Sequence, residues 1–151
     1  MEQPCLQIED FIVNTKVNIY INDIQNIDNR EYINKTIRNK YVDDIYNGIY
    51  FIEIVKTSHA NQGIIDINGN VSIEVIVHGR GVNICEGSNL KIEITQKNKM
   101  GYSYVYNKIC IYIPIVPEYC NNKEYFVGDV VNVLILGKRV EDKIVCVAKI
   151  I

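Results

Sequence analysis

Short runs of β-branched and aromatic residues fill the second half of this chain, and they restrict its possible folds more than any other feature. Five such runs follow residue 81, and the one long connection between them, Pro114–Gly128, comes after the third. Five short strands with a long connection in that place are typical of a closed Greek-key barrel. The predicted strands are Leu90–Gln96, Gly101–Tyr106, Ile109–Ile113, Val130–Leu136 and Lys143–Ile150.

The first half predicts strands separated by turns. Leu6–Val13 and Val17–Ile21 are typical of two short strands on either side of a turn at Asn14. The pairs Asn47-Gly48 and Asn68-Gly69 predict tight turns, because both residue types tolerate positive φ. The strands predicted around these pairs are Ile49–Val55, Ile64–Ile67 and Val71–Val77.

One helix is predicted among these strands. Asp28 is placed to cap its first turn, and Glu31 can complete a capping box. Apolar residues then recur at i, i+4 and i+8, which predicts a buried stripe on one face. These residues are Ile33, Ile37 and Tyr41.

The Gly79-Arg80-Gly81 segment is the predicted domain boundary and is expected to act as a flexible joint. It divides the chain into residues 1–81, with one helix on a small antiparallel sheet, and residues 82–151, a five-stranded barrel of the oligonucleotide-binding (OB) kind. The predicted fold class is therefore α+β.

Charge excludes a general electrostatic grip on nucleic acid, because the net charge is only −2. Its distribution is uneven. Residues 1–81 hold 7 Lys and Arg against 11 Asp and Glu, whereas residues 82–151 hold 9 against 7. The second half is therefore the better candidate to face a polyanion.

The cysteines and the apolar stretches predict a protein of the cytosol or nucleus. The five cysteines are odd in number and lack a Cys-x-x-Cys pair, so we expect buried thiols instead of disulfides or a zinc site. Apolar stretches such as Ile109–Val116 fall short of the roughly 20 residues that a membrane-spanning helix needs.

No pattern of catalytic residues is present in the sequence. Gly79-Arg80-Gly81 lacks the further residues of a phosphate-binding loop, and no serine lies in a Gly-x-Ser-x-Gly elbow. His59 and His78 have no acidic or cysteine partner at metal-ligand spacing. We therefore predict neither an enzyme nor a metal or cofactor site.

Tyrosines and basic residues of the predicted barrel are candidates for contacts with single-stranded RNA. Tyrosines on the second and third strands can stack on bases at about 1–3 kcal/mol per base. Strand alternation places Tyr102, Tyr104 and Tyr106 on one face, so they are either exposed together or part of the core together. The candidate RNA contacts are Tyr102, Tyr104, Tyr112, Lys91, Lys138, Arg139 and Lys143.

Five stretches also follow one another in a characteristic order. They are "IEDFIV", "INKTIRNKYVDDIYNGIYFIEIV", "GIIDINGNVSIEVIV", "ITQKNKMGYSYV" and "VLILGKRVEDKIVCVAKI". In order and spacing they resemble the stalk subunit of multisubunit DNA-directed RNA polymerases, a family with archaeal members that also includes the seventh subunit of eukaryotic polymerase II. The most specific pieces are Asn98-Lys99-Met100-Gly101 and the Gly-x-Arg-Val of Gly137–Val140.

This resemblance implies a non-catalytic subunit with an RNP-like tip domain, residues 1–81, that docks on the polymerase core. Residues 82–151 are then an S1-type barrel beside the RNA exit path. The implied partners are the clamp region of the largest subunit, a small core subunit and nascent single-stranded RNA, with no membrane. The sequence leaves open whether a smaller stalk subunit is also present. A large-DNA-virus source implies the host cytoplasm and the virion, whereas a cellular eukaryotic source implies the nucleus.

The resemblance also assigns site residues. It places Tyr112 at the aromatic position of the third barrel strand, with Lys138, Arg139 and Lys143 in and after the last hairpin. One departure is Ser103, where S1 barrels usually carry a phenylalanine. The implied docking residues are Asn14, Lys16, Gly63, Ile65, Asn68 and Gly69.

Two other functions fit the same residues. A free-standing RNA-binding module would use the barrel without a polymerase, and an architectural subunit would keep the docking surface but not bind RNA. Polymerase docking would distinguish the stalk subunit from the free-standing module. Affinity for single-stranded RNA would distinguish it from the architectural subunit.

Overall fold

The computed structural model of the chain describes residues 6–20, 30–59, 63–65 and 67–151. Strands dominate these residues and two helices accompany them, which is an α+β composition as predicted. The helices are α1 (Arg30–Tyr41) and α2 (Pro117–Cys120). The strands are β1 (Glu9–Ile19), β2 (Ile45–Tyr46), β3 (Ile49–His59), β4 (Ile64–Ile65), β5 (Val71–Asn83), β6 (Asn89–Glu93), β7 (Gln96–Lys97), β8 (Gly101–Tyr106), β9 (Ile109–Pro114), β10 (Val130–Val140) and β11 (Ile144–Ile150).

The described residues divide into two compact units. The N-terminal unit lies within residues 9–44 and 51–81, and the C-terminal unit contains residues 6–8, 45–50 and 82–151. The N-terminal unit ends at Gly81, and residues 45–50 group with the C-terminal unit. They form the hairpin of β2 and β3, whose turn residues Asn47 and Gly48 have φ of 51° and 76°, as predicted for this pair.

The first strand of the N-terminal unit is longer than predicted, and the expected turn at Asn14 does not exist. β1 pairs with β5 along its whole length, from Glu9 opposite Gly81 to Ile19 opposite Val71. Asn14 is exposed in the middle of this ladder. A polar residue suits that position, so the turn preference of asparagine yields to the pairing with β5.

Helix α1 covers one face of this sheet and buries the stripe that the sequence predicts. Ile33 and Ile37 are 0% exposed and Tyr41 is 2% exposed. The Tyr41 ring packs edge-on against Phe51 at 5.6 Å between centroids. The predicted cap, Asp28, lies outside the described residues. This apolar contact between helix and sheet forms the core of the N-terminal unit.

Gly79-Arg80-Gly81 is not a joint but part of the continuous strand β5, opposite Glu9–Phe11 of β1. Gly79 is buried, and a Cβ atom there would lie 3.0 Å from the ring of Phe51. The glycine therefore allows an aromatic ring to pack against the sheet. Arg80 extends from the other side of the strand and forms ion pairs with Asp10 and Glu53 at 3.6 and 3.2 Å.

The C-terminal unit is a six-stranded sheet in the order β6-β10-β11-β9-β8-β7. All of its neighbouring strands are antiparallel except β9 and β11, which are parallel. Between β6 and β7, the amide of Ile94 donates to Asp129 O at 2.9 Å, and the amide of Thr95 donates to Ser103 O in β8 at 2.9 Å. The chain between β6 and β7 thus bonds to both ends of the sheet, and the sheet curls into a barrel-like form.

The last hairpin of this unit differs from its prediction. β10 continues to Val140, so Gly137–Val140 is strand, and only residues 141–143 connect it to β11. Ile135 pairs with Ala148 and Gly137 pairs with Val147, so Leu136 is the extra residue of a β-bulge. The bulge changes which alternate residues of β10 face outward.

The interior of the C-terminal unit is lined by alternate residues of its strands, mainly isoleucine and valine. Cys120 and Cys146 are buried among them, as predicted, and burial raises the pKa of the Cys146 thiol to about 11. Cys85 is exposed, contrary to the expectation of buried thiols, because it lies in the turn before β6. Cys5 lies outside the described residues.

We predict that Gly79→Val destabilises the protein by about 1–3 kcal/mol, because the added side chain collides with the ring of Phe51. Chemical denaturation followed by circular dichroism measures the change. Gly137→Val is the matched control, because a Cβ atom at Gly137 meets nothing within 4 Å. Equal stability of the two variants would show that the close approach of Phe51 does not limit the side chain at residue 79.

Candidate nucleic-acid interface

The outer surface of four strands in the C-terminal unit brings several of the predicted RNA contacts together. Ser103, Tyr112, Val147 and Gly137 lie side by side on β8, β9, β11 and β10. Val105, Cys110, Val145 and Arg139 form the adjacent row. We call these two rows the Tyr112 face.

Tyr112 is held on this face by the turn that precedes β8. Its hydroxyl donates to Met100 O at 2.8 Å. Its ring lies against Gly101, where a Cβ atom would come within 2.8 Å of the ring carbons Cε2 and Cζ. Glycine is therefore required for the position of the ring, which remains partly exposed. A partly exposed ring in a fixed orientation can stack on a base with little loss of side-chain entropy.

The Asn98-Lys99-Met100-Gly101 motif forms that turn through its own hydrogen bonds. The side-chain Oδ1 of Asn98 accepts from the amides of Met100 and Gly101 at 2.8 and 3.0 Å. Met100 O accepts from the amide of Ile115 at 3.0 Å as well as from Tyr112. The motif thus forms the turn between β7 and β8 that holds the Tyr112 ring in place.

Arg139 and Lys143 supply positive charge on the Tyr112 face. Arg139 lies opposite Val145, and its Nε donates to Glu141 Oε1 at 3.0 Å. Lys143 is exposed and lies close enough to Cys110 to act on its thiol. Burial raises the pKa of the Cys110 thiol, and the Lys143 ammonium partly opposes that rise. Both cations can reach a phosphate that passes over this row.

Lys138, another predicted RNA contact, lies away from the Tyr112 face. It lies opposite the buried Cys146, and its ammonium donates to Gly48 O at 3.0 Å and to Asn83 Oδ1 at 3.3 Å. The bulge in β10 explains this, because it directs Arg139 outward and leaves Lys138 on the other side of the strand. Within the C-terminal unit, Lys138 therefore links the 45–50 hairpin to β10.

The 45–50 hairpin makes a second contact that sequence analysis did not find. Tyr50 is 2% exposed, packs edge-on against Tyr106 at 6.2 Å, and its hydroxyl accepts from Asn107 Nδ2 at 3.0 Å. The tight-turn pair Asn47-Gly48 was the only signal for this hairpin, and it gave no indication of the partner strands. The hairpin contacts both the β8–β9 turn and the start of the last hairpin.

Tyr102 and Tyr104 do not lie on the Tyr112 face. They are 2% and 4% exposed and pair with the fully buried Ile113 and Ile111. The Tyr102 hydroxyl accepts from the amide of Tyr125 at 3.1 Å. The sequence predicted that these tyrosines are core together or exposed together. They are core, which is at odds with base stacking on either ring.

Lys91 is exposed but is separated from Tyr112. Lys91 is on β6 and pairs with Asn132 on β10. Strand β10 therefore lies between Lys91 and the strands that carry Tyr112 and Val147. Of the predicted RNA contacts, the structure thus groups Tyr112, Arg139 and Lys143, and it places the other four elsewhere.

In the N-terminal unit, two of the predicted docking residues, Asn14 and Lys16, lie on the sheet face opposite α1. Asn14 and Lys16 are exposed there and line a groove of about 360 Å³ with Glu74 and Ile76. Lys16 lies directly opposite Glu74. Ile12 on the same face is 67% exposed. This face, which we call the α1-distal face, combines polar groups with solvent-exposed isoleucines.

The β4–β5 hairpin adds further exposed apolar residues. Ile64, Ile65 and Ile67 are 70%, 68% and 102% exposed, and Ile64 pairs with Ser72 two residues from Glu74. Gly63 and Asn68 are exposed as well, and Gly69 has a φ of 82°. β4 ends at Ile65, so the strand predicted for residues 64–67 is shorter. Exposed isoleucines in such number are typical of a protein-binding surface.

The described parts of the chain hold neither a group of metal-ligating side chains nor a membrane-spanning helix. Within them, no three His, Cys, Asp or Glu residues are grouped where they could hold a metal ion. None of the helices found there is long and apolar enough to cross a membrane. His78 lies in β5, and the side chain of His59 lies outside the described residues.

Comparison with known proteins does not assign a family. No family model matches the sequence, and no curated protein matches it. Any function must therefore be argued from where the residues of this chain lie.

We predict that Gly101→Ala displaces the Tyr112 ring and destabilises the protein by about 1–3 kcal/mol, because the new methyl group overlaps the ring and the carbonyl of Ile113. Urea denaturation gives the stability, and NMR spectra of the tyrosine rings report the position of Tyr112. Tyr112→Phe is the comparison, since it removes only the hydrogen bond to Met100 O. An unchanged NMR environment of the Tyr112 ring in Gly101→Ala would contradict the conclusion that Gly101 determines the position of this ring.

Proposed function

We propose that this protein is a non-catalytic stalk subunit of a DNA-dependent RNA polymerase. The N-terminal unit docks on the polymerase core, and the C-terminal unit is an S1-type OB barrel that contacts nascent single-stranded RNA. The partners proposed are the clamp region of the largest subunit, a small core subunit and a smaller stalk subunit. The protein then resides wherever its polymerase works: in host cytoplasm and virions if viral, or in the nucleus if cellular.

The strand order of the C-terminal unit is the observation that carries this proposal. Counting the chain of β6 and β7 as one bent strand, the five strands are neighbours in the closed order 1-2-3-5-4-1. The third and fifth strands are parallel, and a short helix lies between the third and fourth. This connectivity matches the OB barrel, which binds oligonucleotides on strands 2 and 3 and on the 1–2 and 4–5 connections.

The Tyr112 face supports RNA contact because it lies where such barrels bind. Tyr112 is on the third strand, its hydroxyl bonds to the 1–2 connection, and Arg139 and Lys143 flank the 4–5 connection. One stacked base contributes about 1–3 kcal/mol. The excess of positive charge in residues 82–151 is small, and Glu141 bonds to Arg139, so a modest, sequence-tolerant contact is expected.

The α1-distal face supports docking on a protein. Its exposed isoleucines adjoin Lys16 and Glu74, an arrangement of apolar contact area with a polar rim that protein interfaces use. Residues 1–81 are acidic overall, which disfavours RNA as the partner of this unit.

A purely architectural subunit is the second candidate. The burial of Tyr102 and Tyr104 and the engagement of Lys138 with Gly48 favour it, because they remove three of the predicted RNA contacts. A free-standing RNA-binding module is less favoured, since the exposed isoleucines near Lys16 would then have no partner.

We predict that the double variant Arg139→Ala, Lys143→Ala weakens binding to single-stranded RNA. The slope of log affinity against log salt should fall by about 0.7 for each phosphate that the variant no longer neutralises. Lys138→Ala is the control. It removes a cation from the same hairpin, but this cation bonds to Gly48 O and does not lie on the Tyr112 face. Filter binding across a salt series checks the prediction.

A second readout uses the cysteines. Bound RNA should slow alkylation of Cys110, which lies on the Tyr112 face, and leave the exposed Cys85 unaffected. Alkylation is run at mildly alkaline pH, because burial raises the pKa of Cys110. If Lys138→Ala lowers the salt slope as much as the double variant, or if RNA protects both thiols equally, the Tyr112 face is not the RNA site.

We predict that Ile64→Asp with Ile67→Asp abolishes co-purification of large polymerase subunits from the native source. Both side chains are at least 70% exposed, so the stability should change by no more than about 0.5 kcal/mol per site. A charge at either position instead disrupts the apolar part of the docking surface.

Asn39→Asp is the control for added charge, because Asn39 is exposed on α1. Retention of polymerase subunits by the isoleucine variant would exclude this hairpin from the interface. If the unaltered protein brings down no large polymerase subunit, the stalk assignment itself fails.

A further inference from the structure

A cavity in the C-terminal unit lies between the end of β7 and helix α2. Its volume is about 340 Å³, at the lower end of the ~300–1,000 Å³ of small-ligand sites. The cavity is therefore sized for one small planar group. Lys97, Tyr102, Ile115, Pro117, Lys123 and Glu124 contribute to its lining.

Lys97 links this cavity to an exposed aromatic ring. Its ammonium lies 4.7 Å from the ring centroid of Phe126 and 5.6 Å from that of Tyr102. It also donates to Glu124 Oε1 at 2.9 Å. The segment that carries Phe126 is fixed in turn, because the Phe126 amide donates to Asp129 Oδ2 at 2.8 Å.

Phe126 is 59% exposed although it is a large apolar side chain. Its contact with the Lys97 ammonium orients the ring without burying it. A fixed, exposed aromatic ring next to a cation has the elements with which single-stranded nucleic acid is bound, namely a stacking surface and a charge for the phosphate.

The cavity adjoins the Tyr112 face through one carbonyl group. Met100 O accepts from the Tyr112 hydroxyl on one side and from the amide of Ile115, which lines the cavity, on the other. A strand stacked on Tyr112 can thus continue over the Asn98–Gly101 turn to Phe126. Lys99 in that turn is exposed, and Lys123 lies at the far side of the cavity.

We propose that the exposed ring of Phe126, which lies beside this cavity and is joined to it through Lys97, stacks on one base of a single-stranded RNA whose neighbouring bases contact the Tyr112 face. The inference rests on the RNA contact in the proposed function and extends it to a second subsite. Charge favours RNA as the occupant, because Lys97 and Lys123 line the cavity against the single carboxylate of Glu124.

The test measures the affinity of the full chain for fluorescently labelled oligouridylate of about 12 nucleotides, within the site sizes of such barrels. Phe126→Leu keeps an apolar side chain but removes the ring, and it should weaken binding by about 5-fold to 100-fold. Phe126→Tyr keeps the ring and should bind as the unaltered protein does. Leu136→Ala is the control, because Leu136 is exposed in β10.

The length of the RNA separates the two subsites. Phe126→Leu should not affect the affinity for a trinucleotide that only covers the Tyr112 face, whereas Tyr112→Ala should weaken both probes. If RNA binds but Phe126→Leu leaves the affinity for the longer probe unchanged, this second subsite does not exist and the proposed function stands. Loss of polymerase co-purification in that variant would then indicate that the cavity binds a side chain of a polymerase subunit.

If the unaltered chain binds neither probe, both the second subsite and the RNA contact of the proposed function are wrong. Thermal unfolding of each variant verifies that it is folded. A Phe126→Tyr variant that binds as weakly as Phe126→Leu would also overturn the inference, since it would show that the ring itself is not the contact.

Discussion

The closure of the sheet in the C-terminal unit depends on two successive backbone amides that donate to chain segments at opposite ends of the sheet. Ile94 bonds to the segment before β10 and Thr95 bonds to β8, so one bent strand supplies both ends of the sheet. This closure leaves few unpaired strand edges and creates an inside and an outside. The packed isoleucines occupy the inside, and Tyr112, Val147 and Arg139 consequently share the outside.

The sequence predicts where most strands of the C-terminal unit lie, because short β-branched runs between turns are local signals. The first of the five predicted strands is divided in the structure into β6 and β7. It also predicts the buried stripe of α1, since Ile33, Ile37 and Tyr41 recur with helical spacing. It cannot tell which side of β8 is buried. Period-2 alternation places Tyr102 and Tyr104 on one face, but the choice of face depends on the packing against Ile111 and Ile113.

Two errors arise from local signals that tertiary structure overrides. Asn14 and Gly79 are residues of turns and joints in isolation, yet both lie within paired strands. A third error, the placement of Lys138 on the outer surface, comes from the β-bulge at Leu136, which no residue in the sequence indicates. Adjacent residues of a strand face opposite sides in any case, and the bulge determines that Arg139 instead of Lys138 faces outward.

The hairpin that Lys138 and Tyr50 secure also determines when the C-terminal unit can be completed. Gly48 and Lys138 are 90 positions apart in the chain. During synthesis at about 5–20 residues per second, the hairpin emerges roughly 5–18 seconds before its lysine partner does. Tyr106 follows Tyr50 by fewer residues, so the ring of Tyr50 lacks this partner for only the first part of that interval. During that time its apolar surface is exposed on the nascent chain, where chaperones bind.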